Sequence, residues 1–132
     1  VLDEAARTFH PLYLESGEII TTKNRFSGFV VKNTPVLQYF HETVMQKASP
    51  FFFYSAKKEM FFDSKHVNEE TLSGMSDFPK ANFKNFYPHI TLGKGNMRAF
   101  FKPPIAFPAY TIALCHLGNY CTCRKILYSR IF

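Results

Sequence analysis

Residues 34–47 carry the longest helical signal in this chain, and short extended segments lie on both sides of it. Thr34-Pro35 reads as a helix start, because proline at the first helical position loses no hydrogen bond and has the right φ. Val36, Leu37, Phe40, Val44 and Met45 then recur on one helical face, which predicts an amphipathic helix over residues 35–47. Extended segments are expected at 12–14, 19–22, 26–31, 50–56 and 59–63, each broken by Gly, Ser, Asn or Lys. The aromatic run Pro50-Phe51-Phe52-Phe53-Tyr54 reads as a buried strand. From 68 to 85 the text is polar and turn-rich, with a helical turn at 69–72 leading into a long loop placed to contact a substrate. A short basic helix is expected at 97–101, stopped by Pro103-Pro104. Strands at 110–117 and 124–132 close the chain through a turn at Gly118-Asn119. The pattern mixes helix and strand, without repeats or low-complexity tracts.

The chemistry concentrates in Pro88-His89-Ile90-Thr91-Leu92-Gly93. In a strand, residues two apart point the same way, so His89 and Thr91 share a face while Ile90 and Leu92 turn to the core. An imidazole that trades a proton near neutral pH, beside a hydroxyl that donates to a phosphoryl oxygen, is a device for handling phosphate. Tyr87 and Phe86, just before it, are placed to stack on a base, and Lys94 follows it closely. A second literal His-x-Thr, His41-Glu42-Thr43, falls on the predicted helix, where residues two apart diverge and cannot serve one phosphate.

The chain has 132 residues, the size of one domain that reads as a part of a longer chain. Sixteen Lys and Arg against ten Asp and Glu give a net charge of +6, which suits polyanionic partners such as RNA, nucleotides or an acidic membrane surface. Lys94, Arg98 and Lys102, with Arg124, Lys125 and Arg130, suggest a basic rim round the site. No apolar run approaches the roughly 20 residues that span a bilayer. Three cysteines, Cys115, Cys121 and Cys123, are an odd set without a secretory signal, so free thiols in the reducing cytoplasm are expected. Zinc would need a fourth ligand, and Cys115 and the neighbouring His116 point to opposite faces of a strand, so no metal is expected there. Carboxylates are sparse near His89, which speaks against hard-cation chemistry. There is no Gly-rich phosphate loop, no Gly-x-Ser-x-Gly, no His-Glu-x-x-His and no Cys-x-x-Cys.

The string Pro88–Gly93 resembles one of the two His-x-Thr/Ser signatures of the 2H phosphoesterases, and within them is most similar to the catalytic domains of 2′,3′-cyclic nucleotide 3′-phosphodiesterases. Thr21-Thr22-Lys23 resembles the end of that family's first signature. His116-Leu117-Gly118-Asn119 and the terminal Arg130-Ile131-Phe132 are similar to its C-terminal hairpin. Where the family has His-x-Thr-Thr-Lys, this chain has Ile19-Ile20-Thr21-Thr22-Lys23, and His10 is the substitute partner whose spacing from His89 comes closer to the family's. The resemblance implies an α+β fold of two lobes, small antiparallel sheets facing across a cleft with flanking helices, here with a reduced N-terminal lobe. It implies a metal-independent, cofactor-free phosphodiesterase acting on 2′,3′-cyclic nucleotides or 2′,5′-linked oligonucleotides. His89, Thr91, Thr21 and His10 would be its catalytic set, and Lys23, Tyr87 and Lys94 its substrate contacts. A domain that binds RNA or nucleotides without cleaving them, or serves as an interaction module, is the alternative that the isoleucine at 19 leaves open.

Overall fold

A computed structural model describes residues 1–22, 26–53, 55–76, 78, 83–98 and 100–132. In chain order the regular elements are α1 (Leu2–Thr8), β1 (Leu12–Thr21), β2 (Phe26–Val31), α2 (Pro35–Ala48), α3 (Glu69–Ser76), β3 (His89–Lys94), β4 (Ala106–Ala109), β5 (Thr111–Leu117) and β6 (Cys123–Ile131). The architecture is α+β, with an antiparallel four-stranded sheet in the order β3-β2-β1-β4 and a separate β5-β6 hairpin.

Helix α2 forms as the sequence predicts. The Thr34 hydroxyl accepts the Leu37 N–H at 3.2 Å and Pro35 opens the first turn, a cap typically worth about 1 kcal/mol. Its apolar stripe packs on one face of the large sheet, where Leu37 is buried with Leu12 and Val31, and Leu14, Phe40, Ile90 and Phe132 close round them. Burying each such side chain contributes about 1.5–3 kcal/mol. Cross-strand partners share a face, so this helix face comprises Leu12, Leu14, Ser16 and Ile19 of β1, Ser27, Phe29 and Val31 of β2, and Ile90 of β3. On the other face Tyr13, His89 and Thr91 are exposed and Val30 is half-buried.

Because β3 and β4 occupy opposite edges, residues 95–105 must cross the sheet, and they do so on the helix face. Phe101 meets Phe29 edge-on at 5.4 Å, the buried Ser27 hydroxyl bonds the Gly95 carbonyl and the Met97 N–H, and Ser16 exchanges two bonds with Ile105. The helix expected at 97–101 falls on this crossing: Met97, Arg98 and Phe101 contact the sheet beneath them, Phe100 is exposed, and residue 99 lies outside the described residues.

Other expectations are corrected too. The aromatic run is no buried strand. Residues Ser49–Phe51 form a 3₁₀ turn that ends α2, and Phe51 and Phe53 are 78% and 69% exposed; Tyr54 lies outside the described residues. Residues 59–63 likewise belong to 3₁₀ turns and bends, which touch the end of β5 where the Phe62 N–H donates to the Leu117 carbonyl at 2.9 Å but do not form a strand. Segments 12–14 and 19–22 are one strand, continued through Ser16-Gly17 by a β-bulge. Cys115 and Cys123 are not free thiols but a disulfide across the hairpin, leaving Cys121 unpaired. Among the described residues no helix is long and apolar enough to cross a membrane.

Candidate functional site

Strand β3 is the edge of the large sheet, and its register fixes where its side chains go. His89 lies opposite Val30, Ile90 opposite Phe29 and Thr91 opposite Gly28, then the register slips and Gly93 meets Ser27 and Lys94 meets Phe26. Ile90 therefore reaches the core, whereas His89 and Thr91 stand exposed on the open face. The extra residue at Leu92 adds a consequence the sequence did not foretell. Without it Lys94 would fall on the helix face; with it, Lys94 returns to the side of His89 and Thr91.

Residues two apart on a strand face are about 7 Å apart, a gap that one phosphate spans with hydrogen bonds of about 2.8 Å on each side. The His89 ring is oriented by its own chain. Its Nδ1 lies 3.1 Å from the Tyr87 carbonyl, so Nδ1 carries the proton that donates there and Nε2 is left to face a ligand. The exposed Tyr87 ring stands 6.1 Å from that of His89, tilted by 31°. Among the described residues no carboxylate pairs with His89 or Lys94; the nearest ion pair on this face, Lys32 with Glu15, is long at 4.0 Å. His89, Thr91 and Lys94 are all exposed on this face.

Gly28 makes the close approach of β3 possible. A Cβ there would stand 2.8 Å from the Ile90 carbonyl oxygen and 3.5 Å from the Thr91 Cα, both backbone atoms with little room to yield. Any side chain at 28 would push β3, and with it His89 and Thr91, off the sheet.

The other expected members of the catalytic set do not join this face. Thr21 pairs with Ser27 on the helix face, and its hydroxyl is spent on the Ser27 hydroxyl at 3.0 Å. Ile19, opposite Phe29 and 5% exposed, is a core residue. The bulge between Ser16 and Ile19 is the cause: it turns Ile19 and Thr21 inward where an unbroken alternation would turn them outward. His10 follows α1 and lines a different cavity, of about 480 Å³, with Phe9, Leu12 and Leu37. Because Ser16 faces Val31 and His89 faces Val30, Leu12 sits about five residues (roughly 16 Å) along the sheet and two strands (roughly 10 Å) across from His89, and His10 lies beyond Leu12. His10 therefore does not stand on the β3 face beside His89 and Thr91. Lys23 lies outside the described residues.

None of the remaining histidines supplies the missing partner. His41 projects from α2, behind the sheet, where its Nε2 accepts the Phe83 N–H. His66 pairs with Asp63, and His116 Nε2 lies 3.0 Å from the Met60 carbonyl. Among the described residues no three His, Cys, Asp or Glu side chains gather to hold a metal ion.

No protein-family model, curated protein or solved structure matches this chain. Sequence reasoning missed Gly28 and the bulge at Leu92, since a cross-strand partner and a register slip leave no signal in a single strand's alternation.

Proposed function

We propose that this domain binds the phosphate of a nucleotide or an RNA end on the open face of β3, as a 2H-like domain that has lost the two-histidine site. His89 Nε2 and Thr91 Oγ1 hold phosphoryl oxygens, Lys94 supplies the countercharge, and Tyr87 flanks the base. One observation carries the reading: His89, Thr91 and Lys94 share a face, while no second imidazole shares it with them. General acid–base help is worth about 10² to 10⁴-fold per group, so a lone histidine binds and positions without turning over at an enzyme's rate. The net charge of +6 favours the same ligands. A cytoplasmic setting, where such ligands abound, would expose the Cys115–Cys123 bond to a reducing pool; neither cysteine belongs to the binding face.

The phosphodiesterase reading keeps one observation in its favour, the anchored His89 ring with Nε2 free for proton transfer. Calorimetric titration in EDTA with a 2′,3′-cyclic nucleotide and with adenosine 2′-monophosphate separates the two. Binding is expected to weaken about tenfold in His89→Ala and in Thr91→Val, with no cyclic nucleotide consumed. Absence of binding at millimolar ligand sinks the proposal, and metal-free turnover abolished in His89→Ala replaces it with the enzyme.

A further inference from the structure

A second cavity, of about 310 Å³, collects polar groups that the β3 face does not use. Asp63, His66, Tyr120, Thr122 and Arg124 line it around Gly118. His66 Nδ1 lies 2.7 Å from Asp63 Oδ2, so the carboxylate fixes the ring and leaves Nε2 as its outward donor or acceptor. The stem of Arg124 lies across the bare α-carbon of Gly118: a Cβ there would come within 2.5 Å of Arg124 Cγ. Among the described residues no carboxylate comes within ion-pair distance of the Arg124 guanidinium, although Asp63 lines the same cavity.

The turn that carries Tyr120 is held firmly. Tyr120 and Cys121 have left-handed φ of 57° and 55°, a conformation that costs a side-chain-bearing residue roughly 1–2 kcal/mol. The buried Thr71 hydroxyl compensates by accepting the Tyr120 N–H at 2.8 Å, and it sits 2.7 Å from Asn119 Oδ1. The Tyr120 ring then packs on Phe26 at 5.3 Å, and Phe26 is the cross-strand partner of Lys94. His89 and Thr91, Lys94 beside Phe26, Tyr120, and finally Arg124 with His66 thus follow one another in space.

We infer that this cavity is a second phosphate subsite and that the ligand of the domain is a single-stranded oligonucleotide. The inference rests on phosphate binding at the β3 face. One phosphate sits on His89, Thr91 and Lys94, an intervening base stacks on Tyr120, and a later phosphate meets Arg124 and His66. Arginine suits the second position, since its planar fork takes two phosphate oxygens at once. Base-on-aromatic stacking is typically worth about 1–3 kcal/mol and tolerates any base, so Tyr120 adds length dependence without sequence preference.

The test compares tetra-adenylate with adenosine 2′-monophosphate on the full chain in EDTA. Wild type is expected to bind the tetranucleotide at least tenfold more tightly. In Arg124→Ala and in Tyr120→Leu that advantage should shrink to twofold or less, and Arg124→Lys, which keeps charge and stem but loses the fork, should fall between. An advantage that persists in all three variants, or equal displacement of the tetranucleotide by tetraglutamate, overturns the subsite. The underlying reading is judged separately by His89→Ala, which should weaken the mononucleotide; if it does not, the β3 face is not the first site and the two-site ligand fails with it.

Discussion

The imidazole of His41 lies flat on the ring of Phe86, with centroids 3.9 Å apart and planes 4° from parallel, while its Nε2 accepts the Phe83 N–H at 3.1 Å. Phe86 runs through Tyr87 and Pro88 into β3, and the Pro88 carbonyl is tied to the Val31 N–H at 2.9 Å. A histidine on the far side of the sheet therefore steadies the approach to His89.

That relationship makes the approach sensitive to acid. Burial holds the His41 imidazole below the usual histidine range, partly offset by the neighbouring Glu42 carboxylate, and a protonated Nε2 would turn a donor toward the Phe83 N–H. The unfolded chain takes up a proton at a higher pH than the folded one, so stability is full above the ordinary histidine value and falls as pH drops through the window below it. Melting temperature measured from pH 8 to pH 5 should decline, and amide exchange at Phe83 and Phe86 should quicken. In His41→Gln, which can still accept the bond but does not titrate, the decline should be smaller; an unchanged decline assigns it to other groups.

Gly28→Ala tests whether the bare α-carbon opposite Thr91 is what lets β3 seat. Its new methyl would meet the Ile90 carbonyl, and overpacking of this kind costs about 1–3 kcal/mol. Urea denaturation should show that loss, and the His89 ring resonances should shift. Gly74→Ala is the control: it lies inside α3 with nothing within 4 Å of a Cβ, so it should stabilise by up to about 1 kcal/mol and leave the His89 resonances unchanged.

How much of this was legible in the sequence depended on whether one strand sufficed to reveal it. The α2 stripe and the His89-Ile90-Thr91 alternation are local, and both elements formed where their periods put them. The face of Thr21 was not local. One extra residue between Ser16 and Ile19 reverses which side Ile19 and Thr21 point to, and no composition announces a bulge. Strand β4 escaped notice because it is short and contains Pro108, which an edge strand tolerates. The run from Phe51 to Phe53 misled in the opposite way: apolar content suggested burial in a strand, but Pro50 sits in the turn that ends α2, and Phe51 and Phe53 are exposed.

The Cys115–Cys123 bond ties the two strands of a hairpin whose β6 residues are all exposed. Two-stranded sheets are marginal by themselves, and closing a short loop by a disulfide is worth roughly 2–3 kcal/mol. Cys123→Ser should lower the denaturation midpoint accordingly and speed amide exchange along β5 and β6. Exchange at Ile90 and Thr91, which belong to the other sheet, should not change; if it does, the hairpin and the β3 face are coupled.

Asp3 joins the first helix to the last strand. Its carboxylate accepts from Arg130 and from the Tyr128 hydroxyl, the latter at 2.8 Å, and the Arg130 bond is the main reason that its carboxyl is held below the usual aspartate range. A carboxylate with a depressed folded value contributes its stability at all pH above the unfolded value and loses it as pH falls through the folded one. The contribution is therefore intact at neutral pH and lost in acid, below about pH 4. Asp3 is solvent-exposed, so salt should erode the contact. Asp3→Asn should lower the melting temperature slightly at pH 7 in low salt, and the difference from wild type should shrink as pH falls below about 4 and in 1 M sodium chloride. A difference that survives both conditions would mean that α1 is held to β6 by packing, with the charge incidental.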